Sequence, residues 1–509
     1  MSQTTVSGKG HPDLAPAPIR AEQAVGSRSA LAVFAASLAV AMLLAAGLRL
    51  YQLPRASFWA DELYSVESIV YQREHPLELW RFASHLPVRL GLWASGAEID
   101  RARIDRPEDW RSLGIHETST RIGPAIVGIL TVPLLGLASL RLLGPRGASV
   151  LMILLAVSPW HLYWSQNARF YILLFLFYNL ALILYYLGSR HQSRPHLVAG
   201  MVFAVVAYLI HPPAIFLFAI LAADWLVAHL RGRPVPLGQA GRLAVTLALG
   251  ACLALLAWEM HQRAASWGRV ESQPRSHDAA TLVLGTVYMV QPVIVALAAL
   301  AGWHLLARGR RLGWYLLLAA AVPLVILVVL SYQSFVHVRY NFFAFYAWLA
   351  LAAVGIDRLY LAARPHVGRV LAAAPLIIAA VAVLQVSYYY HRGAAGFRSR
   401  WDEAFAYVAR HAQPGDQIAT NFTLAGRYYL ERPDVDSMPD TPAGLRARQG
   451  RLWIVTATES AQGHDGNGWV GGVARLEATF DTRIEQPFSS VRVYLRDATP
   501  AETNRTSPR

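Results

Sequence analysis

Residues 197–230 read LVAGMVFAVVAYLIHPPAIFLFAILAADWLVAHL, with one acid, Asp224, and no lysine or arginine. His211-Pro212-Pro213 divides the stretch, because proline cannot continue a helix, so it reads as two adjacent apolar helices. A bilayer core about 30 Å thick needs roughly 20 such residues per crossing. Scanning outward for comparable runs predicts eleven spans, at about 31–50, 120–140, 147–164, 169–187, 197–211, 213–230, 243–260, 281–306, 313–331, 340–356 and 369–390. The composition agrees: of 509 residues 55% are hydrophobic and 15% charged, against about 25% charged in ordinary soluble proteins. One cysteine, Cys252, excludes a disulfide scaffold and a thiolate metal cluster.

Arginines set the expected orientation. Arg141 and Arg146, Arg190 and Arg194, Arg231 with Arg233 and Arg242, Arg308 with Arg310 and Arg311, and Arg358 with Arg364 and Arg369 fall in every second connection. Those loops, with the N-terminus carrying Lys9, Arg20 and Arg28, are expected on the cytoplasmic side. An odd number of spans then puts the C-terminus outside. The first apolar run is long and lacks a small-residue cleavage site, so it reads as a retained span rather than a signal peptide. Residues 1–28, rich in Ser, Pro, Gly and Ala, read as a disordered cytoplasmic tail.

The body at 29–390 is therefore a helical membrane domain, with a large first outer loop at 51–118. Within that loop Leu63, Val66, Ile69 and Val70 share one helical face. Such a face suits either a helix lying in the membrane interface or an ordinary folded loop. Residues 391–509 turn polar. Trp401 to His411 predicts an amphipathic helix, and 418–420, 452–456 and 491–495 predict strands. The fold class expected is a polytopic α-helical membrane protein with a small C-terminal α/β domain outside the cytoplasm, there for recognition or support. The absence of an internal repeat counts against transporters built from duplicated halves.

Charged residues in such a chain are costly and therefore informative. Asp61 and Glu62 follow the first span. His161, Gln166, Asn167 and Arg169 lie between the third and fourth, His337, Arg339 and Tyr340 precede the tenth, and Arg121 starts the second. All are expected at the outer boundary, as an active site at the bilayer surface requires. Each also has a structural reading: helix-start acids favour the dipole, arginines snorkel, and aromatic residues anchor the interface.

These residues resemble a family. Phe58-Trp59-Ala60-Asp61-Glu62-Leu63-Tyr64-Ser65 is similar to the W-x-D-E-x-Y-S/T entry to the first outer loop of GT-C glycosyltransferases of the family 39 type. That group includes protein O-mannosyltransferases, lipid A aminoarabinose transferases and RgtA-like enzymes. Thr120-Arg121-Ile122-Gly123-Pro124 through Leu143-Gly144-Pro145-Arg146 resembles the second span, and Ser158-Pro159 through Ser165-Gln166-Asn167-Ala168-Arg169-Phe170-Tyr171 resembles the S-P…S-Q-E-A-R-x-Y loop. Arg339-Tyr340 is similar to a late R-Y pair. Two departures stand out. Asn167 replaces a glutamate, and His85-Leu86-Pro87-Val88 only loosely echoes H-P-P-L-Y.

The resemblance implies a membrane glycosyltransferase with a polyprenyl-phosphate-linked sugar donor and a glycan, lipid or protein acceptor. It also implies a bacterial inner-membrane location and no nucleic-acid partner. Asp61 is expected as the base, with Glu62 orienting substrate and tuning its neighbour. Arg169, Arg339, Tyr340 and His337 are expected at the donor phosphate. His161, Gln166, Asn167, Arg121 and Tyr64 are expected to position acceptor or sugar. No cofactor is required on this reading, and a divalent cation is the alternative. The rival expectation is a transporter or flippase of lipid-linked glycans.

Overall fold

The computed structural model describes residues 28–74, 79–231, 279–332, 336–392, 398–457, 468–481 and 490–498, with isolated helical positions at 250, 254, 258 and 261. Its helices run α1 (Arg28–Leu50), α2 (Ala60–Glu74), α3 (Leu79–Ala94), α4 (Glu117–Val157), α5 (Pro159–Ser165), α6 (Tyr171–His191), α7 (Arg194–Ile210), α8 (Phe216–Leu230), α9 (Ala279–Val290), α10 (Pro292–Ala307), α11 (Arg311–Ser331), α12 (Phe345–Ala372) and α13 (Ala374–Arg392). Beyond them lie α14 (Trp401–His411), α15 (Thr423–Leu430), α16 (Pro442–Ala447) and five short strands.

Among the described residues seven helices are long and apolar enough to cross a membrane, or eight if α9 and α10 count as one bent span. Each expected span except the seventh has a counterpart. Of the seventh, at about 243–260, only positions 250, 254 and 258 are described. The second and third spans are two helices that α4 joins across a kink at Gly144, between the expected spans, where a φ of 74° is one that only glycine adopts cheaply. One expectation of continuity changes. The eighth breaks at Gln291, where α9 and α10 meet at 94°.

Glycines set how closely the outer helices approach the bundle. A Cβ on Gly123 of α4 would lie 1.8 Å from the Pro87 carbonyl oxygen, and one on Gly91 of α3 would lie 2.6 Å from that of Ser119. Bare backbone at these two positions lets α3 press against the N-terminal end of α4. That end is fixed by a reciprocal cap, in which His116 Nδ1 accepts from the Ser119 N–H and Ser119 Oγ accepts from the His116 N–H.

The strands are β1 (Gln417–Thr420), β2 (Val435–Ser437), β3 (Leu452–Ala457), β4 (Arg475–Phe480) and β5 (Val491–Arg496), ordered β2-β1-β3-β5-β4. β1 pairs in parallel with β2 and β3, whereas β5 runs antiparallel to β3 and β4. The predicted helix and three strands appear where expected; β2, β4, α15 and α16 were not anticipated. The boundary at 391 falls just inside the end of α13, which reaches Arg392.

The C-terminal unit and the first loop share a core. Leu63, Val66, Ile69 and Val70 are buried together with Phe58, Trp401, Phe405 and Tyr428. The apolar face of α2 therefore faces protein, and the folded-loop reading holds over the interface-helix reading. At roughly 1.5–3 kcal/mol per buried large apolar side chain, this shared core is enough to hold the loop on the domain.

Candidate active site

The helix that follows the first span opens on two acids that part company at once. Successive residues on an α-helix point about 100° apart, so Asp61 and Glu62 face different neighbours. Glu62 turns inward and is fully buried. Arg121 donates to it through Nε at 2.9 Å and Nη2 at 2.7 Å, the Ala168 N–H reaches Oε1 at 2.7 Å, and Arg398 Nη1 lies 3.4 Å from Oε2. Burial alone would raise the Glu62 pKa. The two guanidiniums and the backbone donor outweigh it and hold the group below its ordinary value. Arg121 is equally buried and also donates to the carbonyls of Leu53, Ala56 and Ser57, so it folds the 51–62 segment around itself.

Asp61 turns outward and keeps 25% of its side chain exposed. Its Oδ2 is 3.3 Å from Arg339 Nη1 and 3.7 Å from Arg169 Nη2. Arg169 Nη1 further donates to the Asp61 carbonyl at 3.0 Å and to Ser65 Oγ at 2.9 Å. Arg339 lies over the Trp59 and Tyr340 rings, each 5.4 Å from its guanidinium carbon. The Nε atoms of both arginines are buried without a hydrogen-bond partner. Two guanidiniums against one carboxylate leave the cluster one positive charge in excess, with donors to spare.

Three chain segments are thus brought together, from residues 61–65, 169 and 339. Ser158 caps α5, with Pro159 at the first helical position, and the helix ends at Gln166. The turn through Asn167 and Ala168 then presents Arg169 ahead of α6. Arg339 sits in a short 3-10 helix, Val338–Ala344, capped by His337, whose Nδ1 accepts from the Arg339 N–H at 3.1 Å. His337 is exposed and shapes the Arg339 backbone.

The residues expected to position acceptor or sugar sit elsewhere, Tyr64 excepted. His161 is fully buried and 2.7 Å from Arg49, which caps the end of α4 through the Leu155 and Ala156 carbonyls. Gln166 donates to the carbonyls of Leu48, Arg49 and Tyr51 and accepts from Tyr390. Arg121 is enclosed behind Glu62. Asn167 is buried, and its Oδ1 accepts from Trp59 Nε1 at 3.3 Å, steadying the ring under Arg339. Glu62, read as a substrate-orienting acid, is sealed from substrate. The scaffold takes up most of the hydrogen-bonding groups of these residues. Tyr64 is 48% exposed and meets Phe422 edge-on. Burial, then Glu67 and Asp61, raise the pKa of its phenol, and burial raises that of Glu67.

Arg398 and Ser65 were missed. Arg398 follows the last span and reaches both Glu62 and the Gln166 carbonyl, the latter at 2.8 Å. Its only sequence signal is an arginine in Phe397-Arg398-Ser399-Arg400-Trp401 beside the membrane end.

A divalent cation suits this donor set poorly. Among the described residues no three of His, Cys, Asp or Glu gather as ligands. Asp61 already faces two guanidiniums, and Glu62 is enclosed by two more.

No protein-family model and no curated protein matches the chain. Solved structures do. The archaeal oligosaccharyltransferase AglB from Archaeoglobus fulgidus, in complex with an inhibitory peptide and a dolichol-phosphate, aligns with TM-score 0.55 and 13% identity, over 89% of this chain and 74% of that one. An A. fulgidus oligosaccharyltransferase complex with Zn and sulfate gives TM-score 0.50 and 14% identity, over 83% and 68%. The chain has the GT-C fold. ArnT from Cupriavidus metallidurans in the apo state aligns with TM-score 0.47 and 14% identity, over 91% and 97%.

Proposed function

We propose that this chain transfers a sugar from a polyprenyl-phosphate donor to an acceptor hydroxyl, at the outer face of a bacterial inner membrane and with inversion. The observation that carries it is the half-open cluster in which Asp61 faces Arg169 and Arg339 with spare guanidinium donors. A sugar phosphodiester carries one negative charge, which matches the excess positive charge of the cluster. Guanidinium forks suit phosphate oxygens, and the AglB structure of the same fold holds a dolichol-phosphate.

In the reaction the acceptor oxygen attacks the anomeric carbon as the bond from that carbon to the phosphate oxygen breaks. The acceptor proton passes to Asp61. The departing polyprenyl phosphate gains a negative charge, which Arg169 and Arg339 stabilise as it develops. Donor phosphate competes for the same guanidiniums that neutralise Asp61 and so frees the carboxylate to accept a proton. One displacement at one centre inverts the anomeric configuration. On this reading Tyr64, exposed one helical turn from Asp61, contacts the acceptor.

The test is to incubate the purified protein with polyprenyl-phosphate sugars and membrane extracts. Donor consumption with an inverted product is expected. Consumption unchanged in Asp61→Asn would defeat the base assignment. The broken α9–α10 span favours a second reading, because flippases and transporters use interrupted helices. On that reading donor lipid crosses the bilayer unconsumed.

A further inference from the structure

A second, small polar cleft lies between the ends of α1 and α13, lined by Gln52, Arg55, Gln166, Tyr390, His391 and Arg398. None of the residues of the Asp61 cluster lines it. The lining contains two arginines and a histidine and no acid. Its neutral polar groups are already engaged: Tyr390 donates to Gln166 at 3.0 Å, and Gln52 accepts from Arg55 at 2.8 Å.

The unengaged atoms are nitrogens. Arg398, with only 2% of its side chain exposed, has a buried Nε without a partner, and so does His391 at Nε2. Arg55 is exposed and uses Nη1 alone, toward Gln52 and the His391 carbonyl. Leaving a buried donor unpaired is costly, and although Arg398 pairs with Glu62 through Nη1, its Nε has no partner.

We propose that this cleft binds a phosphate group, apart from the donor phosphate at Asp61. Two guanidiniums, at 55 and 398, with the His391 imidazole as a neutral donor, suit a tetrahedral oxyanion. The surroundings suit the depth of lipid headgroups. Tyr51, Tyr388 and Tyr389 are each more than half exposed beside the cleft, and Tyr51 packs edge-on against His391 at 5.2 Å. Exposed tyrosines of this kind sit at headgroup level. The same chemistry is offered by an anionic phospholipid and by free phosphate.

The full-length protein is tested with both sources. It is placed in phosphatidylcholine nanodiscs with or without phosphatidylglycerol, and separately in detergent with inorganic phosphate. Thermal shift and native mass spectrometry of retained lipid or phosphate are read in the wild type, Arg55→Gln, Arg55→Lys and Arg339→Gln. The Arg55-dependent part of the retention in the wild type is expected to persist in Arg339→Gln. Arg55→Gln should bind about tenfold more weakly, the loss of one charge-assisted contact, and Arg55→Lys should recover part of that. A response to phosphatidylglycerol alone assigns the cleft to a lipid headgroup, and a response to inorganic phosphate as well assigns it to free phosphate. Retention of neither probe, equal retention in Arg55→Gln, or loss in Arg339→Gln instead would overturn the proposal. No transfer assay enters, so the result stands apart from the reaction proposed at Asp61.

Discussion

Two carboxylates one residue apart occupy opposite physical regimes. Glu62 is sealed between Arg121 and Arg398, while Asp61 meets Arg169 and Arg339 at 3.7 and 3.3 Å with a quarter of its side chain open. The sealed cluster spends every acceptor on holding chain segments together. The open one keeps unpaired Nε donors on both arginines beside an accessible carboxylate, which costs stability and serves a ligand. Charge content alone does not separate the two clusters, since each sets two arginines against one acid. Access does.

The comparison breaks first at Asp61. Asp61→Asn keeps the shape and removes the proton acceptor, so turnover should fall by about 10²–10⁴-fold, the usual worth of a general base. Because the group is partly exposed, apparent stability should change by less than about 1 kcal/mol. Donor-lipid affinity should hold or rise, as a carboxylate repelling phosphate is gone. Turnover of purified protein and native mass spectrometry of bound donor check the two halves. Near-normal turnover would move the base elsewhere.

Glu62→Ala should do the reverse. It strands two buried guanidiniums, and breaking such an ion pair costs about 3–5 kcal/mol. Folded yield and thermal stability in detergent should collapse before kinetics can be read, and Glu62→Gln should be milder. The sign of the pH effect follows from the depressed pKa of Glu62. Its stabilisation is present above the unfolded-state value and is lost as pH falls through the folded-state one. Acid sensitivity should therefore weaken in Glu62→Gln. A stable, inactive Glu62→Ala would instead place this acid in the chemistry.

How much of this contrast the chain announced depends on distance along it. Membrane spans were legible because bilayer thickness imposes a run length that composition cannot hide. The break at Gly144 was legible too, flanked by Arg141 and Arg146, but the bend at Gln291 was not, since it leaves the apolar run unbroken. The meeting of Asp61, Arg169 and Arg339 was anticipated from their common boundary. The fates of Asp61 and Glu62 were not separable, because adjacency in sequence says nothing of which helical face meets a partner. Arg398 lies 336 residues from Glu62, and only the folded C-terminal unit brings them together. His161, Gln166 and Asn167 look like site residues in a motif, yet their neighbours in space are backbone carbonyls, Arg49 and Trp59.

Arg339→Ala sharpens the open cluster alone. It removes one charge-assisted contact to phosphate, worth about 1.5–3 kcal/mol, and should weaken donor binding about 10- to 100-fold with little change in stability. Arg169→Ala should combine a similar binding loss with some destabilisation, because Arg169 also holds the Asp61 carbonyl and Ser65. Titration of donor lipid against both variants separates them; unchanged affinity in Arg339→Ala would take this residue out of the phosphate site.

The smallest effect tests whether the C-terminal unit reaches the open cluster at all. Tyr429 accepts from the Phe58 N–H at 2.6 Å and donates to Glu117 at 2.8 Å, so it ties α15 to the turn that leads into Asp61 and to the start of α4. Ser57 makes a parallel tie to the Ser399 carbonyl. Tyr429→Phe removes one hydroxyl and leaves its two partners to re-pair, at about 1 kcal/mol. If the turn is held by this tie, kcat should fall several-fold with KM unchanged, because Asp61 is displaced while Arg169 and Arg339 still hold the donor. If the shared apolar core suffices, stability should drop by the same amount and kcat stay at the wild-type value. The split between kcat and KM in this one variant therefore shows whether the extramembrane domain aims the carboxylate or only buries the far face of its helix.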